Sequence, residues 1–506
     1  MSDDSVRAAL RSNASLVVVE APAGCGKTHQ GADYARDISV ATRPGRLLIL
    51  THTHAACSVF SDYTKGTSSY AEIRTIDSII AQIASAYHSG LGLPADIAAW
   101  VRGREERHAE LAVKVAALMK RYPMIAALVA QRHPVVICDE YQDSSGDQHA
   151  VVMALLAHGA RLRVFADPMQ KIFKDRTVDG ACPPCDWEEL TRQAHALEQL
   201  DTPHRWSSGC PQLGRWTLAA RNALKTGGKI DLRGVLPPSI KIVFAENQAQ
   251  KNLEYQLTTQ DRKSIDAFEQ AQSSLLILTR HNVTARSFRG FFNRRLPLWE
   301  GHTRPGLEKF VDHLGSNQGD PAALSAAIVT FIADVGKGFS PSAFGNRFEQ
   351  EARAGCTGKC RGKPAMIQEL AHFLVAEPNH YGAAKMLRRL SELKSTDPDF
   401  ADIAIDCQKE FWDAVRLGDF DTVDAGLAEI TNRRIYSRPK PPAKAISTIH
   451  KAKGLQCDSV IVMPCDTKTF PDKPDARCLL YVALTRAKSK LLLVLSRSNP
   501  SPLVIT

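Results

Sequence analysis

Apolar positions along the chain follow two rhythms. Short, nearly unbroken apolar runs at 16–19, 46–50, 135–138 and 162–166 each end in a polar or glycine-rich turn, and stretches with apolar residues every three or four positions lie between them. That alternation predicts an α/β domain with a parallel sheet, whose ligands bind at the carboxyl ends of the strands. Between the second and third runs, 76–132 reads as mainly helical, with periodic segments at 79–87 and 111–118. A second strand series starts at 240–244 and 275–278, breaks off, and resumes at 445–448, 459–463 and 491–495. The block between, 289–437, is predicted helical from segments such as AALSAAIVTFIADV and AAKMLRRLSELK.

The expected organisation is two sheet domains, each interrupted by a helical insertion. Residues 1–75 and 133–205 form the first, with 76–132 inserted; 206–288 and 438–506 form the second, with 289–437 inserted. The Pro-rich basic stretch 433–444 is the one linker-like segment. No run approaches the roughly 18 apolar residues of a membrane-spanning helix, and the opening MSDDSVRAALRSN lacks the apolar core of a signal peptide. A cytoplasmic protein without membrane partners is expected.

Chemistry enters at the turns. After the first run stands APAGCGKT, 21–28, where Gly24 and Gly26 let backbone N–H groups turn toward phosphates. Lys27 can reach the β and γ phosphates, and the Thr28 hydroxyl can ligate Mg²⁺. Ala23 and Cys25 complete this cradle, and Ala21 stands at the first glycine position of the strict pattern. The third run leads into ICDEYQD, where Asp139 suits Mg²⁺ and Glu140 suits polarising an attacking water. Gln170, in FADPMQKIF, can donate to a γ-phosphate and accept from that water. The combination predicts an NTPase.

APAGCGKT, ICDEYQD and FADPMQKIF resemble motifs I, II and III of the UvrD/Rep-like superfamily one DNA helicases. The others follow in order: LTHTHAAC at 50–57 resembles motif Ia, RTIDSI at 74–79 Ib, TPHRWS at 202–207 IV, STIHKAKGLQCD at 447–458 V and YVALTRAK at 481–488 VI. The resemblance implies two RecA-like motor domains closing on ATP and Mg²⁺, with Arg205 and Arg486 facing the phosphates from the opposite lip of the cleft. It places His204 at the base, Gly454 close to nucleotide and Gln456 near the ribose. On the nucleic-acid side it implies His52, Thr53, Thr75, Phe173, Thr448 and His450, and single-stranded or partly duplex DNA as partner, tracked 3′ to 5′.

Several positions depart from the family. No Gln precedes residue 30 to read adenine, and motif IV has Pro203-His204-Arg205-Trp206 in place of Asn-Tyr-Arg-Ser. His52 replaces the usual Phe of motif Ia, and Lys174, Asp175 and Arg176 follow Phe173 where a base-stacking Trp is usual. These differences favour a second reading, a nucleotide-gated subunit that binds DNA and switches a partner nuclease with little unwinding. The compact length resembles the helicase-like subunit of Gabija anti-phage systems, which works with an OLD-family nuclease, and 506 residues leave no room for an appended nuclease. DNA repair or anti-phage defence is the expected setting.

Charge refines the picture locally. The 64 Lys and Arg exceed the 54 Asp and Glu by only +10, but 430–457 is free of acids and carries Arg433, Arg434, Arg438, Lys440, Lys444, Lys451 and Lys453. A second stretch, 280–304, interleaves six Arg with Phe288, Phe291, Phe292 and Trp299. Both fit a groove for a single strand; the second equally fits a helix with its aromatics in the core. Twelve Cys without a disulfide framework fit a reducing compartment. The pairs Cys182/Cys185 and Cys356/Cys360 read as turns or as half-sites for a metal.

Overall fold

A computed structural model of the chain describes residues 2–38, 45–64, 70–101, 105–173, 178–248, 255–301, 304–437 and 441–506, with the backbone alone at 54, 55, 105 and 434–437. It divides into two compact units. One comprises 1–101, 105–291 and 443–506, the other 102–104 and 292–442.

The first unit holds two parallel sheets of RecA-like type. In one, β1 (Leu16–Glu20), β2 (Leu47–Thr51), β3 (Ala71–Thr75), β4 (Val135–Cys138), β5 (Arg161–Ala166) and β6 (Ala196–Gln199) lie in the order β3-β2-β4-β5-β1-β6, all pairs parallel. β1, β2 and β4 are buried along their whole length, as continuous apolar strands between helical layers must be. Helix α1 (Ser2–Arg11) packs beside β6 through Val6 and Leu10. α2 (Lys27–Ile38) follows the phosphate-loop sequence, α3 (His54–Tyr63) follows β2 and α4 (Ile76–Ala86) follows β3. Every turn after β1 to β5 therefore opens on one edge of the sheet.

The second sheet has five parallel strands in the spatial order Lys444–Thr448, Leu275–Thr279, Cys457–Cys465, Ala487–Leu495 and Ile240–Phe244. Helix Pro474–Leu484 joins its third and fourth strands, burying Leu479, Leu480, Tyr481 and Val482.

The other unit is helical, built on Pro305–Ser316, Pro321–Val335, Lys363–Ala376 and His380–Thr396 around a core that includes Phe310, Phe331 and Leu387. Arg304 is buried there, with Nε 3.4 Å from Asp413 Oδ2.

The structure bears on both basic stretches, and for the second it selects the helix with its aromatics in the core. Phe288, Phe291, Phe292 and Trp299 are buried, the first two in an edge-on cluster with Tyr255, so the second stretch offers no stacking platform. In the first basic run three of the seven cations have an acidic partner among the described residues. Arg433 pairs with Glu429, Lys444 with Glu269 and Lys453 with Asp143. The side chain of Arg434 and residues Arg438 and Lys440 lie outside those described, as do Lys174, Asp175 and Arg176.

Candidate active site

Gly24 and Gly26 adopt φ of +78° and +85°, the left-handed conformation glycine favours. Space enforces the choice too. A Cβ on Gly24 would meet Trp206 Cζ3 at 2.7 Å, and one on Gly26 would meet His204 Cδ2 at 3.1 Å. The loop is thus pressed against the segment 203–206, and Arg205 N donates to Gly24 O at 3.0 Å. Ala23 N donates to the Tyr481 hydroxyl at 2.9 Å, and Cys25 is buried.

Lys27, first residue of α2, is buried and ion-paired with Glu140. Glu140 holds φ at +52°, a conformation that costs a non-glycine residue free energy and is found mostly where surrounding structure imposes it. Gln142 Nε2 donates to Glu140 Oε2 at 2.6 Å, while Gln142 Oε1 accepts from Asp167 N at 3.0 Å. Burial alone would raise the Glu140 carboxyl, but Lys27 and Lys453 hold it down to about 2, so it stays ionised. Burial and the Glu140 charge push Asp139 up, to about 7, against the pull of Lys27, with the Thr28 hydroxyl hydrogen-bonded beside it. A buried carboxylate whose charge is disfavoured, next to a hydroxyl, fits a divalent cation. Asp139 and Thr28 are the residues that would hold such an ion.

Two guanidiniums approach the loop, Arg205 from the turn after β6 and Arg486 from the second sheet. Arg205 Nη1 donates to Thr485 O at 2.7 Å. Arg486 is buried and donates to Val482 O, Leu455 O and the Thr485 hydroxyl. Among the described residues neither makes an ion pair with a carboxylate. Burial, with the Arg205 charge adding to it, pushes Arg486 down to about 9, which leaves it protonated at neutral pH. A buried and a half-buried cation with only neutral acceptors beside a phosphate loop are arranged for an anion.

Gln170 is buried and donates from Nε2 to Asp167 Oδ2 at 3.0 Å. Its carbonyl accepts from Lys453 Nζ at 2.8 Å. His204 Nε2 lies 2.9 Å from Asp3 Oδ2, so the start of α1 reaches the loop. Gln30 Nε2 approaches Asp3 Oδ1 at 3.5 Å, and Gln30 Oε1 is buried without a hydrogen-bond partner among the described residues. Trp206 is buried and donates to Ala487 O, so it has no free face. Gly454, at φ +83°, faces open space, and Gln456 is exposed.

The residues expected on the nucleic-acid side are placed unevenly. Phe173 is 49% exposed, and its ring lies 6.1 Å from that of His450 on the other sheet, with Lys453 Nζ 5.0 Å over it. His52 Nε2 is 3.1 Å from Ser144 Oγ; burial lowers the affinity of His52 and His450 for a proton, so both are neutral rings near pH 7. Thr53 and Thr75 cap α3 and α4 with their hydroxyls, and Thr448 Oγ1 accepts from Lys451 N at 3.4 Å.

Sequence reasoning did not anticipate Asp3, Gln30, Gln142, Arg221, Lys453 or Tyr481 as part of this cluster. Gln142, Lys453 and Tyr481 lie inside recognised motifs, which was the available signal. All twelve cysteines are free thiols, and among the described residues no group of three or more His, Cys, Asp and Glu could hold a metal ion. Cys182 and Cys185 pack against the first sheet's core, and Cys356 lies 3.6 Å from both Glu351 O and Gln368 O.

Two parallel α/β sheets that bring a phosphate loop, a paired carboxylate turn and opposing arginines together define a nucleoside triphosphate hydrolase of the RecA-like motor class. Residues 106–179 match the UvrD/REP helicase N-terminal domain and residues 445–494 match the UvrD-like helicase C-terminal domain. The chain accordingly carries UvrD/Rep-like superfamily one helicase domains, which indicate an ATP-dependent DNA helicase, a hydrolase. The matches take in Asp139, Glu140, Gln170, Thr448, His450, Tyr481 and Arg486, while the phosphate loop at 21–28 lies outside both. No curated protein matches the chain. Among the described residues no helix is long and apolar enough to cross a membrane.

Proposed function

We propose that the chain is a translocase and helicase that tracks one DNA strand 3′ to 5′, hydrolysing ATP between motor domains formed by 1–75 with 133–205 and by 206–288 with 438–506. The observation that carries this is Lys453. It donates to Asp143 and to the Gln170 carbonyl while lying over Phe173, which faces His450. One side chain thus touches both the hydrolytic turns and the ring pair proposed to meet DNA.

In this reading Lys27 leaves Glu140 for the β and γ phosphates, and the freed Glu140 takes a proton from the attacking water. The water oxygen bonds to the γ phosphorus as the bond to the β-bridging oxygen breaks. Gln170 orients the water, and Arg205 and Arg486 neutralise charge on the transferred group. Mg²⁺ held by Thr28 and Asp139 would supply further charge neutralisation at the phosphate oxygens. Asp3 and Gln30 offer acceptors to the adenine amino group beside His204, and Gly454 and Gln456 border the nucleotide. The pattern of free thiols fits a cytoplasmic protein, and on resemblance we place it in DNA repair or anti-phage defence, alongside a separate nuclease.

The test pairs ATP turnover, measured without nucleic acid, with single strand and with duplex, with fork unwinding on the same sample. Strong stimulation by single strand together with unwinding is expected. Stimulation only by an added nuclease partner would replace this reading with the nucleotide-gated switch.

A further inference from the structure

Arg221 belongs to none of the helicase motifs, yet it is among the largest fully buried side chains of the molecule. It sits on helix Pro211–Lys225 and spans the ends of two first-sheet strands. Nη2 donates to Glu20 Oε1 and to Asp167 Oδ1, each at 2.7 Å, and Nε reaches Asp167 Oδ1 at 3.1 Å. The other oxygen of Asp167 accepts from Gln170 Nε2 at 3.0 Å and from the Tyr481 hydroxyl at 3.1 Å. Tyr481 has one proton, given to Asp167, so its oxygen is left to accept from Ala23 N of the phosphate loop. The guanidinium of Arg221 lies 5.9 Å from the centroid of the same ring.

A buried ion network is a weak stabiliser, because desolvating its charges offsets most of their attraction. What this one provides is register. Four segments meet at the Arg221–Asp167 pair: the end of β1 through Glu20, the turn with Gln170, helix Pro211–Lys225 and, through Tyr481, the helix ahead of Arg486. Gln170 and Tyr481 share one oxygen. When Gln170 turns its amide toward a phosphate, Asp167 Oδ2 keeps only the tyrosine, and the second sheet's helix becomes the sole side-chain donor to that oxygen.

We propose that Arg221, Asp167 and Tyr481 form a strap tying the second sheet to the phosphate loop and the Gln170 turn, with Arg221 and Tyr481 as positioning residues that couple DNA binding to ATP turnover. The strap rests on the phosphate-loop reading above. It makes a distinct demand: loosening it lowers the stimulation of turnover by DNA more than it lowers turnover itself.

The test measures kcat and KM for ATP in Tyr481→Phe and Arg221→Lys, without DNA and with saturating single strand. Loss of one buried hydrogen bond should cut the ratio of stimulated to unstimulated kcat about tenfold, with KM for ATP changing far less. A ratio equal to that of the unaltered chain, whether both rates fall together or neither falls, overturns the strap. Should Tyr481→Phe not fold, Arg221→Lys reads the same ratio. The double variant should lose no more than the worse single variant, and additive losses would mean two separate effects. Lys27→Ala in the same assay keeps the two ideas apart. Full turnover there removes the phosphate-loop reading and the strap with it, whereas lost turnover there with an unchanged ratio in Tyr481→Phe removes the strap alone.

Discussion

Lys453 Nζ donates to both carboxylate oxygens of Asp143 at 2.6 Å, joining the turn after the second sheet's Lys444–Thr448 strand to the turn after β4. Both side chains are largely buried, so solvent screens the pair little. Removing either partner strands the other charge in a dry place. Lys453→Ala and Asp143→Ala should therefore each lower DNA-stimulated turnover about tenfold or more, and a double-mutant cycle should give a coupling of at least ~1 kcal/mol. Strictly additive losses would show that the bond carries no coupling.

The hydrolytic pair separates binding from chemistry. Glu140→Gln keeps the shape of the side chain but cannot take a proton, so stimulated hydrolysis should fall by roughly 10²- to 10⁴-fold while a fluorescent ATP analogue still binds. Lys27→Ala should lose both. Undiminished turnover in either variant would remove these residues from the mechanism.

How much of this was readable beforehand depends on range. The central strands were legible because runs such as VVIC, buried on both faces, are continuous apolar runs. The sheet's edges were not. β3 is buried only at its ends and β6 alternates half-buried with exposed positions, so neither stands out against its flanks. Helix α1 was hidden by an acidic opening in which only Val6 and Leu10 reach the core. The motif residues were legible because each motif is local. Tyr481 with Asp167, or Lys453 with Asp143, involves partners some three hundred positions apart, and no local pattern encodes that. The arginine and aromatic stretch at 280–304 stayed open between two readings for a related reason: spacing does not say which face of a helix meets the core, and here the aromatics do.

Arg486 makes no ion pair among the described residues, and its burial is tolerated through hydrogen bonds to neutral oxygens alone. A group held this way is better placed for charge that develops during reaction than for ground-state binding. Arg486→Ala should slow hydrolysis by about 10³-fold, in the range of lost phosphate-facing arginines, while the Kd of a non-hydrolysable analogue changes by only a few fold. Equal losses in rate and binding would assign it to binding alone.

Gly146 opens the helix Gly146–Ala157, and a Cβ there would lie 2.1 Å from Pro183 O and 2.3 Å from Cys182 O. Cys182 N also donates to the Asp147 side chain, at Oδ1, 2.9 Å away, so the Pro183-Pro184 turn is docked closely on this helix end. Gly146→Ala should destabilise the chain by about 2 kcal/mol and lower its melting temperature by a few degrees, with kcat at low temperature retained. An unshifted melting curve would mean that the turn moves away freely.

At the start of α1, Asp3 brings a carboxylate to His204 and within reach of Gln30. Carboxylate oxygens accept only, and Gln30 Oε1 adds a second, unpartnered acceptor. A purine with an exocyclic amino group at position 6 satisfies them; inosine triphosphate, with a carbonyl there, sets acceptor against acceptor. The unaltered chain should therefore prefer ATP to ITP in kcat/KM, and Asp3→Ala should shrink that preference about tenfold, chiefly through KM for ATP. If Asp3→Ala lowers turnover of ATP and ITP by the same factor, the base is read elsewhere and the Asp3–His204 contact serves only to dock α1 against the loop.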